Sequence, residues 1–263
     1  MFFSSIATAA LLAFFTLGSV SNARPASSNH LQSRALNNTL SSITIHESCN
    51  ETERSALTRA LQDTFAVAEA ARDYIVKNGA DEVYQRYFGK AQPFSIIGVF
   101  DHLLSGDKTG VLLRCDDIDQ NCHQDGWAGH WRGLNATSET VICPLSYQIR
   151  KFNDQWCQDG YTVTGSSASY YFATDLIHRF FHVPKINNNI VGHYADEYAD
   201  CLGLAVRRPQ QAGFNTHTLQ YFASEAYALT VARPGVGCTG TIPEIAAEPE
   251  SSATATASGS CRE

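Results

Sequence analysis

Ser167 to Ala205 reads S-A-S-Y-Y-F-A-T-D-L-I-H-R-F-F-H-V-P-K-I-N-N-N-I-V-G-H-Y-A-D-E-Y-A-D-C-L-G-L-A, and this stretch decides the fold. His178 and His182 stand four apart, flanked by Tyr171, Ala173, Leu176, Ile177, Phe180 and Phe181, in a run that reads as a helix ended by Pro184. Four residues make about one helical turn, so both imidazoles leave the same face, which is how a helix grips zinc. After the polar Asn187-Asn188-Asn189 loop, His193, Asp196, Glu197 and Asp200 fall at i, i+3, i+4 and i+7, the pattern of one titratable face on a second helix. Taken alone, histidines at i, i+4 equally fit an exposed or hydrogen-bonded pair. The second acidic and histidine face is what suggests a shared metal.

The ligands expected are His178, His182 and His193. Imidazole suits zinc, and the loop of residues 183–192 carries Pro184, three asparagines and Gly192, enough turn chemistry to reverse the chain. Asp196 is the rival third ligand, or a carboxylate that holds a ligand by hydrogen bond; Glu197 stands beside it. Asp175, one turn before His178, has the spacing of a carboxylate that orients that ring. Glu225, in a later helix, either points at the same cleft or serves an ion pair or a tyrosine. A site of three unperturbed imidazoles is expected to lose zinc steeply below about pH 6.

With 263 residues, 44% hydrophobic and 17% charged, the chain can bury a full core in one domain, placed at residues 45–240. A net charge of −7 and the lack of any basic run argue against nucleic acid as a partner. Met1 to Ala23 reads as a signal peptide, with an apolar run from Phe2 to Leu17 and a small-x-small cleavage site at Ser21-Asn22-Ala23. Residues 24–44 read as a leader or linker, and residues 241–263, rich in Ala, Ser and Thr with Pro243 and Pro249, as a tail that cannot pack. No other apolar stretch reaches the ~20 residues that span a bilayer. The expected location is extracellular, in solution or at the cell wall.

An exported chain with eight cysteines is expected to form up to four disulfides, of undetermined connectivity. No C-x-x-C occurs, which argues against a thiolate zinc site. Asn37, Asn50 and Asn135 head N-x-[ST] sequons and mark expected surface glycosylation sites. Asn50 also reads as a helix N-cap, with Glu53 at N3 and Leu57, Leu61, Phe65, Ala68 and Ile75 along one side as far as Gly79, so glycan attachment is expected to compete with the cap. Asp81 opens a shorter helix stopped by Gly89, and Ser95 caps a third running to Leu104. Residues 110–115 and 140–143 read as strands, joined across a Gly- and Trp-rich segment. Asp116, Asp117 and Asp119 read as a solvated loop rather than a calcium site, and His123 and His130 as surface or hydrogen-bonded residues. A last helix starts at Asn215 or Thr216 and runs to Leu229, with His217 in its first turn either pointing at the cleft or serving as a capping or solvent residue.

The run H-R-F-F-H-V-P from His178, G-H-Y-A-D-E-Y from Gly192, G-W-A-G-H-W-R-G-L-N-A-T-S-E-T-V-I-C-P from Gly126 to Pro144, and Y-F-A-S-E-A-Y-A from Tyr221 closely resemble the secreted fungal HRXXH putative-peptidase family. The resemblance runs from Cys49 to Cys238, and more distantly the chain is similar to the deuterolysin (aspzincin) metallopeptidases. It implies an α+β, zincin-like fold, mainly helical, with a small sheet over the two-histidine helix and disulfides holding it. It further implies secretion, Zn2+ as cofactor, induction when zinc is scarce or pH rises, and attachment to host proteins such as fibrinogen or complement regulators, with a cell-surface zinc transporter as a further partner. The deuterolysin relatives take an Asp as third ligand. Longer members of the family end in a His- and Cys-rich tail, which this chain lacks; Cys201 stands where an aliphatic residue is expected, and Cys261 is its candidate partner.

Zincin peptidases place Glu after the first histidine, to take a proton from the attacking water and pass it to the leaving amine. Here that residue is Arg179. A guanidinium with a pKa above ~12 cannot accept the proton. Removal of a general base costs ~10²–10⁴ in rate. The expected function is therefore zinc binding without the usual hydrolysis, and the alternative is a metallopeptidase with a non-standard base, for which Asp175 and Glu225 are the candidates.

Overall fold

Asn50 and Glu53 start the helix against which the rest of the chain packs. The Asn50 side chain accepts from the Glu53 N–H at 3.0 Å, and Glu53 Oε2 accepts from the Asn50 N–H at 2.8 Å, a complete capping box. The helix, α1 (Glu51–Asn78), ends at Gly79, whose φ of 64° suits glycine. The cap uses Asn50 Oδ1, whereas N-glycosylation takes the amide nitrogen, so the expected competition between cap and glycan does not arise. In the computed structural model residues 42–245 are described. The expected signal peptide, most of the leader, the Asn37 sequon, Cys261 and the tail beyond Ile245 lie outside the described residues.

α1 buries Leu57, Leu61, Phe65, Ala68 and Ile75, as the pattern predicts, together with Ala60, Val67, Ala71 and Tyr74. Asp81 caps α2 (Glu82–Phe88), which Gly89 closes. A Cβ on Gly89 would stand 2.2 Å from the Ala205 carbonyl oxygen, so only glycine lets the end of α2 meet the later helix there. The third helix, α3 (Pro93–Ser105), starts at Pro93 rather than being capped by Ser95. Proline has a preset φ and no N–H, and it fits the first helical turn at no loss.

Four short strands follow the order β1-β2-β4-β3. β1 (Thr44–Ile45) and β4 (Glu139–Ile142) flank β2 (Leu112–Arg114) in parallel, and β3 (Gly129–Trp131) runs antiparallel to β4, with His130 opposite Val141. Ile43 is buried and Thr44 is paired, so the fold takes in the last residues of the expected leader. β3 lies inside the Gly- and Trp-rich segment that reads as a connection, and it forms the free edge of the sheet. The next helices are α4 (Pro144–Ile149), α5 (Phe172–Phe180), α6 (Pro184–Asn187), α7 (Tyr198–Arg207), α8 (Pro209–Ala212) and α9 (Thr216–Tyr227). α1 packs against α3, α5 and α9.

Cys49–Cys115, Cys122–Cys143 and Cys157–Cys238 are disulfides. In the loop-entropy picture, closures of 66, 21 and 81 residues each constrain the unfolded chain by roughly 3–4.5 kcal/mol. Cys201 is buried and bonded to no described cysteine; burial pushes its thiol up to about 12. The acidic loop is taken up by internal partners. Arg114 holds Asp116 at 2.7 Å, Asp117 accepts the N–H groups of Asn121 and Cys122, and Arg132 holds Asp119 at 2.7 Å. His130 is buried against Asp119, and the nearby Cys122 and Cys143 offer no thiolate because they are paired.

Candidate metal centre

α5 is shorter than its pattern suggests. It stops at Phe180, and Pro184 begins the next helix instead of ending this one. His182 lies in a tightened turn beyond it, its N–H bonded to the Arg179 carbonyl at 3.1 Å. The turn keeps His182 over His178, with ring centroids 4.8 Å apart. Trp131 of the edge strand stacks on His182 at 6.0 Å, which joins the sheet to the site.

His193 arrives from a loop, not from a helix. The pattern of His193, Asp196, Glu197 and Asp200 predicts one helical face, but α7 begins only at Tyr198. The reason is Asn215. Its buried side chain accepts from the N–H groups of Tyr194 (2.7 Å) and Ala195 (3.1 Å) and donates to the Ala195 carbonyl (2.8 Å), taking up the backbone groups of residues 194–195 that a helix would use. A backbone bridge pairs Gly192 with Asn215, which sets His193 beside His217 at the start of α9.

The imidazoles converge. His182 Nε2 lies 3.1 Å from His178 Nε2 and 3.2 Å from His193 Nε2. One proton on His182 can bridge only one of those gaps; a cation bridges both. Tetrahedral coordination at Zn–N distances of ~2.0–2.1 Å sets nitrogens about 3.3 Å apart, close to the two spacings that His182 makes, and the three ligand atoms all lie within 4.8 Å of one another. Gln220 fixes the tautomer of the first ring. Its amide nitrogen donates to the Thr174 carbonyl at 2.9 Å and to Ser169 Oγ at 3.1 Å, so its Oε1 faces His178 Nδ1 at 3.0 Å. A carbonyl only accepts, so the amide orientation is determined, Nδ1 carries the proton, and Nε2 is left bare toward the cluster.

Burial makes the same point. Desolvation first, then the neighbouring His182, His217 and Arg179, holds His178 well below the usual 6.5. Desolvation and the charges of His193, Arg179 and His217 lower His182 to about 4. Neutral rings with bare nitrogens are a donor set that could hold a metal ion. The shifts also revise the pH expected from unperturbed rings. Between about 4 and 6.5 the unfolded metal-free chain binds protons that the folded chain refuses, so stability should fall as pH drops through that window. Thermal unfolding in chelator should show this slope, and His182→Asn should make it shallower without removing it, since His178 is shifted the same way. The same low values let protons compete less for the two helix histidines, so bound metal should persist at about pH 5.5 in a dialysis measurement.

One expected role needs correction, and two that the sequence leaves open take one side. Asp175 does not orient His178. It accepts from Arg179 Nε at 2.7 Å and pairs with Arg150 at 3.1 Å, because an oppositely charged neighbour at i+4 competes better for a buried carboxylate than a neutral ring at i+3. Arg179 is thereby held under β3, where a Cβ on Gly129 would come within 2.9 Å of its guanidinium. Glu225 is not part of the cluster: it accepts from Arg86 (2.6 Å), from the Tyr87 hydroxyl and from Thr239 (2.9 Å), the ion-pair and tyrosine partners weighed for it. His217 is no capping or solvent residue. Its ring lies 5.0 Å from His178 and 5.3 Å from His193, and its Nδ1 is 3.0 Å from Asp196 Oδ1. Glu197 is exposed at the N-cap of α7, and Asp196, also exposed, lies 3.3 Å from His193 Nδ1. The sequence offers no local signal for Gln220, Asn215 or Trp131.

Three comparisons bear on this arrangement. The chain is 44% identical over 202 residues to the major allergen Asp f 2 of Aspergillus fumigatus, covering 76% of this chain and 65% of that protein. It is 40% identical over 198 residues to the pH-regulated antigen PRA1 of Candida albicans, covering 74% and 66%. It thus spans just under two thirds of the length of each. Among solved structures, a zinc peptidase from Grifola frondosa superposes with a TM-score of 0.50 at 18% identity, covering 68% of this chain and 99% of that one, which shows a shared fold. The profile of the HRXXH putative peptidase family matches residues 1–241, and the chain belongs to that family.

Proposed function

We propose that this protein is an exported zinc-binding protein on a zinc-peptidase fold, holding the ion on His178, His182 and His193 and lacking the residue that would make it a peptidase. The observation that carries this reading lies at two adjacent positions. His178 presents a bare Nε2 to two other imidazoles, while Arg179, where a zinc peptidase has Glu, is bound to Asp175. When bound, zinc would supply Lewis acidity and tie α5 to the His193 loop. Gln220 orients His178, Trp131 covers His182, and Asn215 fixes the loop that carries His193. No proton acceptor stands at position 179.

The extracellular setting is supported by three disulfides, by the exposed sequon positions Asn50 and Asn135, and by kinship with antigens. No helix of the described residues is long and apolar enough to cross a membrane. The proposal extends to zinc scavenging, with a cell-surface transporter as recipient, and to adhesion to host proteins such as fibrinogen or complement regulators. One observation favours the metallopeptidase reading instead: Asp196 and Glu197 are exposed carboxylates on a cleft beside His217. Incubation of the zinc-loaded protein with a broad peptide library separates the two. We expect stoichiometric zinc and no turnover above that of the metal-free protein; zinc-dependent cleavage abolished by Asp196→Asn or Glu197→Gln would establish the alternative.

A further inference from the structure

Two sets of ligand atoms meet at His193. Its Nε2 faces inward, 3.2 Å from His182 Nε2, and its Nδ1 faces outward, 3.3 Å from Asp196 Oδ1. The same carboxylate oxygen lies 3.0 Å from His217 Nδ1. The ligand atoms of His193, Asp196 and His217 all fall within 4.8 Å of one another, as do those of His178, His182 and His193. The two nitrogens of an imidazole sit on opposite edges of the ring with diverging lone pairs, so one ion cannot take both. We propose that His193 Nδ1, Asp196 Oδ1 and His217 Nδ1 form a second, outer site for a divalent cation of the zinc class, joined to the inner site through the His193 ring. The proposal rests on the inner three-histidine reading in one respect, the sharing of His193.

Three features point to an ion there. His217 Nδ1 is shielded from solvent and faces the Asp196 carboxylate at 3.0 Å, so a ligand-capable nitrogen and oxygen already meet at this point. Two imidazoles and a carboxylate are a donor set that zinc accepts, and Asp196 supplies the negative charge that the inner set lacks. The outer set also opens on a polar cleft of about 340 Å³, lined by Ser167, Ser169, Glu197 and Tyr221 besides Asp196 and His217, with room for water to complete the coordination. Two ions bound across one imidazole stand about 6 Å apart, given metal–nitrogen bonds of ~2.0–2.1 Å. The inner ion makes the Nδ1 proton of His193 more acidic, and that proton leaves to solvent as the outer ion binds.

The test is zinc stoichiometry of the untagged, full-length protein, stripped of metal and titrated at about pH 7.5, where imidazoles are neutral and carboxylates ionised. The parent should take up two zinc ions. His217→Ala should take up one, at the affinity of the tighter parent site, and Asp196→Asn, an exposed and conservative change, should lose the same ion. His178→Ala should lose the tighter ion and keep the other. A parent that saturates at one zinc, which His217→Ala then weakens, overturns the outer site and leaves the inner one standing. Two zinc ions retained by both outer-site variants would also overturn it, since the second ion would lie elsewhere. If His178→Ala removes no zinc, the inner reading fails instead.

Discussion

Replacing His178 or His182 by alanine should abolish zinc binding at the inner site, with affinity falling by ~10²-fold or more, while the protein still folds and is secreted. The expectation follows from geometry. Each ring supplies one of three clustered ligand nitrogens, His182 standing 3.1 and 3.2 Å from the other two, and two remaining ligands do not enclose the ion. The fold should survive because its disulfides and the α1 core do not involve these rings. His193→Ala should be comparably damaging, and Asp196→Ala should stay within the ~10–100-fold range of a change that only loosens a ligand. Isothermal titration of the four variants orders them, and a larger loss at Asp196 than at His193 would move the third ligand to the carboxylate, as in the deuterolysin relatives.

Arg179→Ala should destabilise the protein by roughly 3–5 kcal/mol, the cost of breaking a buried ion pair. For a domain of this size that is a fall of about 6–20 °C in Tm. Asp175 is almost wholly buried and would keep only Arg150, whose own guanidinium is held below its ordinary value, by desolvation first and then by the nearby Arg179. Arg179→Glu should be worse, since it sets a second carboxylate against Asp175. It should not create a peptidase, although it restores the zincin motif in sequence. The arginine is thus read as structural, and calorimetry in chelator, which removes any contribution from metal, measures its worth.

The chemistry of the site was legible where it was local. His178 and His182 are bound to one face by helical spacing, and the asparagine-rich loop signals the chain reversal that brings up His193. What spacing could not reveal was competition among partners. Asp175 stands at i+3 to His178 and i+4 to Arg179, and only the buried charge of the arginine decides which it serves. The helical period from His193 to Asp200 is real, yet Asn215, distant in sequence, holds its first half out of the helix. His217 and Gln220 join the site because α9 packs against α5, a tertiary fact with no trace in either segment. β3 escapes notice for a different reason: three residues beginning with glycine carry no strand signature, and only pairing with β4 makes them one.

The central claim is that three histidine nitrogens hold zinc. A crystal structure of the protein carrying one equivalent of zinc, with anomalous data at the zinc edge, tests it most directly. The account predicts a single strong peak at ~2.0–2.1 Å from the Nε2 atoms of His178, His182 and His193. A peak ligated by Asp196 with His193 turned away, or no peak between His178 and His182, would contradict it.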